Sequence, residues 1–144
     1  MRFFFPDSQD QVDPLFDFVT EEHPVHRVRQ RDDRYAHEML QERPFDGLLI
    51  SKSIVDGHGG LSAGRYSTAS RNRLYREGAR RFFRLDTDHA DVKIMGDCGA
   101  FTYVMEEEPP YSVSEVVDFY DVCGLDWGVS PDHIVFGFVR PGDP

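Results

Sequence analysis

The sequence alternates short apolar runs with longer segments of helical pattern, and this alternation restricts the fold more than any other feature. Strands are predicted at residues 2–5, 45–51 and 125–130, and in the run that begins at Val92 and breaks at Gly96. Helices are predicted at residues 14–20, 31–43 and 67–85, and between Ser112 and Gly124. Strands separated by helices form a parallel sheet that the helices cover. We therefore expect an α/β fold, as a single domain over residues 1–144.

Four such strand–helix units are either a small open sheet or half of an eightfold barrel. A half barrel would leave two open edges with unpaired backbone groups. The chain is therefore expected to be an open sheet, a fragment, or a protomer that another chain completes. Residues 134–139 are apolar and could extend or repeat the last strand.

The composition describes an acidic protein for which a cytoplasmic location is expected. The chain of 144 residues has 26 acidic and 16 basic side chains and a net charge of −10. This charge opposes binding to nucleic acid, so such a partner would need a local basic patch. An acidic surface is also typical of salt adaptation. No apolar run is long enough to cross a membrane or to act as a signal peptide. The two cysteines lack metal-type spacing, which favours a reducing compartment.

Two carboxylates are predicted at the carboxyl ends of neighbouring strands. Asp97 lies between Gly96 and Gly99 where the third strand ends, and Asp132 follows the fourth. Ligands bind at this edge in α/β folds, and parallel strands lie roughly 5 Å apart. The pair could exchange protons or accept hydrogen bonds from the N–H edge of a purine. Asp97 could equally cap its own turn. A metal site is not expected, because the pair has no third ligand at a fitting spacing.

Other candidate residues have competing structural explanations. Cys98 could be a nucleophile, but no histidine is placed by the sequence to activate it. Phe101 or Tyr103 could stack on a flat ring, although aromatic residues near strand ends more often belong to the core. His58, in a glycine-rich loop, is expected to be solvated. An arginine stripe on the predicted helix 67–85 could follow a phosphate backbone or pair with the chain's own carboxylates; it comprises Arg73, Arg76, Arg80 and Arg84.

Two motifs resemble those of the guanine transglycosylases, which exchange a guanine for a 7-deazaguanine base. Residues 96–101, Gly-Asp-Cys-Gly-Ala-Phe, resemble that family's D-S-G-G-F/Y-Q at a strand end. Residues 124–126, Gly-Leu-Asp, with Asp132 six positions after Asp126, resemble its G-x-D followed by an aspartate. The sequence of residues 94–103, together with residues 64–69 and 76–78 upstream, is most similar to the branch of this family that inserts a 7-deazaguanine precursor into DNA.

The resemblance implies the N-terminal half of a TIM-type barrel. It implies that Asp97 contacts the base and transfers a proton, and that Asp132 reads its hydrogen-bonding edge. Cys98, Gly99 and Phe101 would complete the base-binding loop. The sequence departs from the family at Cys98, Ala100 and Thr102, which puts a tRNA substrate in doubt. The family's nucleophilic aspartate and its zinc site would lie beyond residue 144.

Three functions therefore remain open. The first is a portion of a base-exchange transglycosylase that acts on nucleic acid, with DNA favoured over tRNA and a second chain as a candidate partner. The second is a non-catalytic subunit that binds a purine or assists assembly. The third is an unrelated small α/β hydrolase that uses the pair of aspartates. No cofactor and no membrane partner are expected for this chain.

Overall fold

The computed structural model describes residues 1–60, 62–135 and 137, which form one parallel sheet with helices between its strands. The four strands are neighbours in chain order. They are β1 (Phe4–Pro6), β2 (Gly47–Ser51), β3 (Lys93–Asp97) and β4 (Trp127–Gly128). The helices are α1 (Ala36–Met39), α2 (Lys52–Asp56), α3 (Thr68–Glu77), α4 (Ala79–Phe82) and α5 (Val113–Cys123), with a 3₁₀ turn at Ala100–Tyr103. The predicted α/β class is confirmed, and the sequential parallel order is the one found within a TIM-type barrel.

One face of the sheet is packed against the helices. Leu48, Ile50 and Ile94 alternate along β2 and β3 and are fully buried in the main core cluster. On the same face, Gly96 and Gly128 leave room for the Tyr120 ring of α5, since a Cβ at either position would lie within 2.4 Å of that ring. The missing side chains therefore let α5 pack directly on the sheet.

The other face of the sheet is only partly covered. Phe4 extends across Gly47, whose Cβ would come within 2.4 Å of the Phe4 ring, and reaches Trp127 with ring centroids 5.6 Å apart. Leu49 and Met95 project between them and are half-buried. In a closed barrel these alternate positions would fill the interior.

Of the first two predicted helices, one is absent and the other is much shorter, because aspartate side chains accept hydrogen bonds from nearby backbone N–H groups there. Residues 14–20 form turns: Asp13 accepts the N–H of Leu15, and Asp17 accepts those of Val19 and Thr20. Such local bonds compete with a helical ladder. The predicted helix 31–43 is reduced to α1, since Asp32 and Asp33 likewise accept the backbone N–H groups of residues 28 and 30.

The predicted helix 67–85 is interrupted at Gly78. This residue has φ 78° and ψ 159°, a backbone conformation that suits glycine, and it ends α3 and precedes α4. Arg84, after α4, also has a positive φ of 56°. The sequence offers Ser67 or Thr68 as the N-cap of this helix, and the cap is Ser67, whose hydroxyl accepts the Ser70 N–H at 3.1 Å. The continuous helix face expected for residues 73–85 therefore does not exist.

The last predicted helix is confirmed, but a different face of it is buried. Ser112 and Glu115 form the expected capping box, and Gly124 ends α5 in the left-handed region. Phe119, absent from the predicted core face, is buried together with Val116 and Cys123. The sequence predicts a core face of Val113, Val116, Val117, Tyr120 and either Val122 or Cys123; of these, Val113 and Val117 are exposed, and Cys123 rather than Val122 is buried. Strand β4 is shorter than residues 125–130, and the strand considered for 134–139 lies partly outside the described residues.

Candidate active site

Asp97 lies at the carboxyl end of β3, with Ser51 opposite it at the end of β2. Its side chain belongs to the partly covered face of the sheet and is half-buried. The carboxylate oxygen Oδ1 is buried and has no hydrogen-bond partner among the described residues. A buried hydrogen-bond acceptor without a donor destabilises the folded state. The structure therefore presents a carboxylate that a hydrogen-bond donor can still satisfy.

The surroundings of Asp97 raise the pKa of its carboxyl group. Burial is the main reason that the pKa of Asp97 lies above its ordinary value, and the negative charge of Asp132 adds to it. The Ser51 side chain and the Gly99 backbone N–H lower the pKa in part. A carboxyl group with a raised pKa exchanges its proton more readily near neutral pH. Asp97 is therefore suited to proton transfer with a bound molecule.

The loop after Asp97 is fixed by glycine geometry and by α2. Gly99 has φ 79°, and a Cβ there would lie 1.8 Å from the Ser53 hydroxyl oxygen. The Ser53 hydroxyl donates to the Gly99 carbonyl at 3.2 Å, and the Ser53 N–H donates to the Cys98 carbonyl at 3.3 Å. This close approach explains why glycine follows Cys98 and leaves no side chain beside Asp97.

Asp132 is held near Asp97 by Cys98 and Tyr103. The Cys98 thiol donates to Asp132 Oδ1 at 3.1 Å, and the Tyr103 hydroxyl donates to the Asp132 carbonyl at 3.1 Å. Asp132 is exposed, and its charge acts on the pKa of Asp97. The predicted convergence of the two carboxylates at one edge of the sheet agrees with these contacts.

Cys98 does not have the surface exposure that base contact would require. Its side chain is 1% exposed, and burial raises the pKa of its thiol. A nucleophilic thiolate would need the opposite shift. The structure therefore assigns Cys98 to positioning Asp132, in place of the base contact expected from the sequence.

The two aromatic residues of this loop differ in exposure. Phe101 is 82% exposed on the 3₁₀ turn and is available for stacking, as predicted. Tyr103 is 1% exposed and belongs to a small core cluster with Cys98 and Val116. Stacking by Phe101 stays a prediction, and Tyr103 is structural.

The predicted arginine stripe is not a continuous surface, because α3 ends before two of its members. Arg80 donates to the Val92 carbonyl and to Asp126, and Arg84 to Glu38. Arg73 lies 4.5 Å from the centre of the Phe82 ring. Arg76 is exposed, with Glu77 at 3.3 Å. Pairing within the chain, the alternative considered for this stripe, is what the structure shows, and DNA binding by these residues stays untested.

Asp126, from the second motif, has a structural task. One carboxylate oxygen accepts the Ile94 N–H at 2.9 Å and an Arg80 contact at 3.2 Å, and the other lies 3.4 Å from Lys93. It therefore joins β3 and α4 to the start of β4. His58, expected to be solvated, instead contacts Glu106 at 2.6 Å.

The sequence analysis missed a polar pocket of about 330 Å³. It is built by the segment after β1 together with Arg65, and we call it the Arg/Gln pocket. Its arginine and glutamine lining residues are Gln9, Gln11, Arg27, Arg29, Gln30 and Arg65, and His23 and Asp33 complete the lining. The detectable signal was the clustering of Arg27, Arg29, Arg31 and Arg34 within eight residues of an acidic chain.

No cluster of three or more metal-ligating side chains is present within residues 1–60, 62–135 and 137. In the same part of the chain, no helix has the length and apolar character needed to span a membrane.

Comparison with known proteins identifies one informative relative. No protein-family model matches the chain. The chain is 52% identical over 143 residues to a DNA-guanine transglycosylase of Salmonella montevideo. The alignment covers 99% of this chain and 33% of that relative, so the chain spans about a third of the relative's length. The resemblance to guanine transglycosylases found in the two motifs is confirmed.

Proposed function

We propose that this chain forms the base-binding part of a transglycosylase that replaces guanine in DNA by a 7-deazaguanine. The observation that carries the proposal is the half-buried carboxylate of Asp97 at the carboxyl edge of the sheet, whose Oδ1 has no hydrogen-bond partner among the described residues and whose pKa the charge of Asp132 helps to raise. The similarity to a DNA-guanine transglycosylase supports it, and the name of that relative favours DNA over tRNA. With DNA as substrate, the expected location is the cytoplasm.

In this proposal the two aspartates have different tasks. Asp132, exposed and held by Cys98 and Tyr103, accepts hydrogen bonds from the N–H edge of the purine. Asp97, whose pKa is raised by burial, exchanges a proton with the base as one base leaves and the other enters. Phe101 stacks on the ring. A base must leave the helical stack to reach such a site.

We further propose that the chain requires more protein to complete the reaction. The residue that would form the covalent sugar intermediate is expected outside these 144 residues. The half-buried face with Phe4, Leu49, Met95 and Trp127 is where the rest of a barrel would pack. Beside it lies an apolar groove of about 460 Å³ between α5 and β4. Further sequence or a second chain would cover both surfaces.

Base binding is tested by titrating the chain with a 7-deazaguanine base in a calorimeter. We expect Asp132→Asn to weaken binding by about 10- to 100-fold, because a charge-assisted hydrogen bond is worth about 1.5–3 kcal/mol. Asp97→Asn should also weaken it. Asp118→Asn, on the exposed side of α5, is the matched control and should bind as the unchanged chain does. Equal affinity in all variants would refute the assignment of the two aspartates.

The need for more protein is tested by incubating the chain with duplex DNA and a labelled 7-deazaguanine base. The isolated chain is expected to incorporate no label, whereas addition of the missing portion should restore incorporation. Incorporation by the isolated chain would contradict the proposal that the nucleophile lies elsewhere. Base binding without turnover, even when that portion is present, would favour a non-catalytic purine-binding subunit.

A further inference from the structure

The Arg/Gln pocket lies on the same edge of the sheet as Asp97. Its residues 9–30 belong to the connection that leaves the carboxyl end of β1, and Arg65 belongs to the connection between α2 and α3. Gln30 approaches Ser70, in the first turn of α3, at 3.4 Å. Because helices return antiparallel to the strands in such units, the first turn of α3 also lies at this edge. The pocket is thus placed where a substrate of Asp97 would extend.

The pocket concentrates positive charge in a chain of net charge −10. Arg27 is fixed by Asp33 through two contacts of 2.7 and 2.9 Å. Arg29 forms no ion pair within the part of the chain that the structure describes. Arg65 has its nearest acidic partner, Asp10, at 3.8 Å and a side chain that is 58% exposed. Two guanidinium groups are therefore available to an anion at its mouth.

Of the three glutamines of the pocket, Gln9 and Gln30 form side-chain contacts within the protein, and Gln11 has an unused hydrogen-bond donor. Gln9 donates to the Arg65 carbonyl at 3.0 Å, and the Gln30 amide approaches the Gln9 side chain at 3.5 Å. Gln9 and Gln30 have positive φ values of 65° and 69°, and such strain is concentrated at ligand sites. The buried Gln11 amide nitrogen has no acceptor among the described residues. A ligand oxygen that accepts hydrogen bonds would therefore fit beside the Gln11 amide nitrogen.

We propose that the Arg/Gln pocket binds a phosphodiester group of the DNA strand whose base is exchanged at Asp97. This inference rests on the proposed function. The uncommitted groups are donors, from Arg29, Arg65 and Gln11, whereas the carboxylate of Asp33 is occupied by Arg27 and the Gln30 N–H. Planar guanidinium groups match the oxygens of a phosphate. His23 also lines the pocket, and its ring nitrogen is held by Asp13 at 2.6 Å.

The test measures binding of a fluorescently labelled 20-base-pair DNA duplex by anisotropy at several salt concentrations between about 50 and 200 mM. For Arg29→Ala/Arg65→Ala we expect weaker binding and a salt slope reduced by about 1, since the loss of one neutralised phosphate lowers the slope by about 0.9. Gln11→Leu should weaken binding and keep the slope, because no charge is removed. Arg81→Ala, at an exposed arginine of α4, is the control and should lower the slope less than Arg29→Ala/Arg65→Ala does. Thermal unfolding checks that each variant is folded.

The possible outcomes separate this inference from the proposed function. A pocket double variant with the same slope as Arg81→Ala would refute the phosphate site. If the phosphate site were refuted in this way while 7-deazaguanine binding still depended on Asp97, the proposed function would be retained without the phosphate site. A chain that binds no duplex at low salt would overturn both proposals. Inorganic phosphate that binds with Arg29 and Arg65 dependence, but without competing with duplex, would show a site for free anions and refute the DNA assignment.

Discussion

Asp7 allows a quantitative test of the structure, because it is a carboxylate buried at the end of β1. It is 4% exposed, and its Oδ1 accepts the Asp10 N–H at 3.0 Å. Burial raises its pKa from 3.8 to about 6, and the nearby charge of Asp10 contributes to the rise. The hydroxyls of Tyr35 and Tyr66 are buried and have no partner among the described residues; burial, followed by the charge of Asp7, raises the pKa of each tyrosine. A neutral side chain of the same shape should therefore be preferred here.

The expected increase in the free energy of unfolding of Asp7→Asn follows from proton linkage. The folded state holds the Asp7 proton more tightly than the unfolded state, so the free energy of unfolding falls as pH rises from about 4 to 6. Above pH 7 the full cost of the buried charge is present, and a pKa moved from 3.8 to about 6 corresponds to about 3 kcal/mol. Asp7→Asn should be more stable than the unchanged chain by about 3 kcal/mol at pH 7.5 and by less than about 1 kcal/mol at pH 4.

Urea unfolding followed by circular dichroism at several pH values between about 4 and 8 measures this difference. The asparagine oxygen can still accept the Asp10 N–H, so the substitution removes charge without removing that bond. Asp118→Asn, on the exposed face of α5, is the control for a general change in net charge. A stability difference between Asp7→Asn and the unchanged chain that stays constant with pH would refute the reasoning.

Two further predictions concern backbone geometry and capping. Gly99→Ala should destabilise the chain by about 2–4 kcal/mol in urea unfolding, because its Cβ would meet the Ser53 oxygen. Gly64→Ala, also at positive φ but with nothing within 4 Å of its Cβ, should cost only about 1–2 kcal/mol; equal costs would contradict the steric argument. Ser112→Ala should lower stability by about 1 kcal/mol through loss of the α5 cap, and a loss no larger than that of Ser114→Ala would show that the cap contributes little.

The sheet and its carboxyl edge could be predicted from sequence because they depend on features local to each strand. Short apolar runs identify β2 and β3, and chain order places Asp97 and Asp132 at one edge once the strands are parallel. The task of Cys98 could not be predicted. It depends on a contact with Asp132, 34 residues away, which only tertiary packing brings about.

Helical segments were less predictable, because side chains competed with the periodic pattern. In residues 14–20 the aspartates satisfy backbone N–H groups locally and leave no helix. At Gly78 a single residue of positive φ separates two short helices that share one sequence pattern. A period of 3.6 residues assigns a common face only while the helix continues. The arginines on either side of Gly78 therefore point to different partners.

The distribution of arginine partners shows where a basic surface can exist on so acidic a chain. Arg80 and Arg84 join separate segments of the fold through backbone carbonyls and carboxylates, so their charges are balanced internally. Arg29 lies on the connection after β1 and Arg65 on the one after α2; Arg65 has Asp10 at 3.8 Å, and Arg29 has no ion pair within the described residues. Arg80 and Arg84 therefore contribute to packing, whereas Arg29 and Arg65 remain available at the edge that also holds Asp97. For a chain of this charge, attraction of DNA would therefore be local to that edge and directed toward the two aspartates.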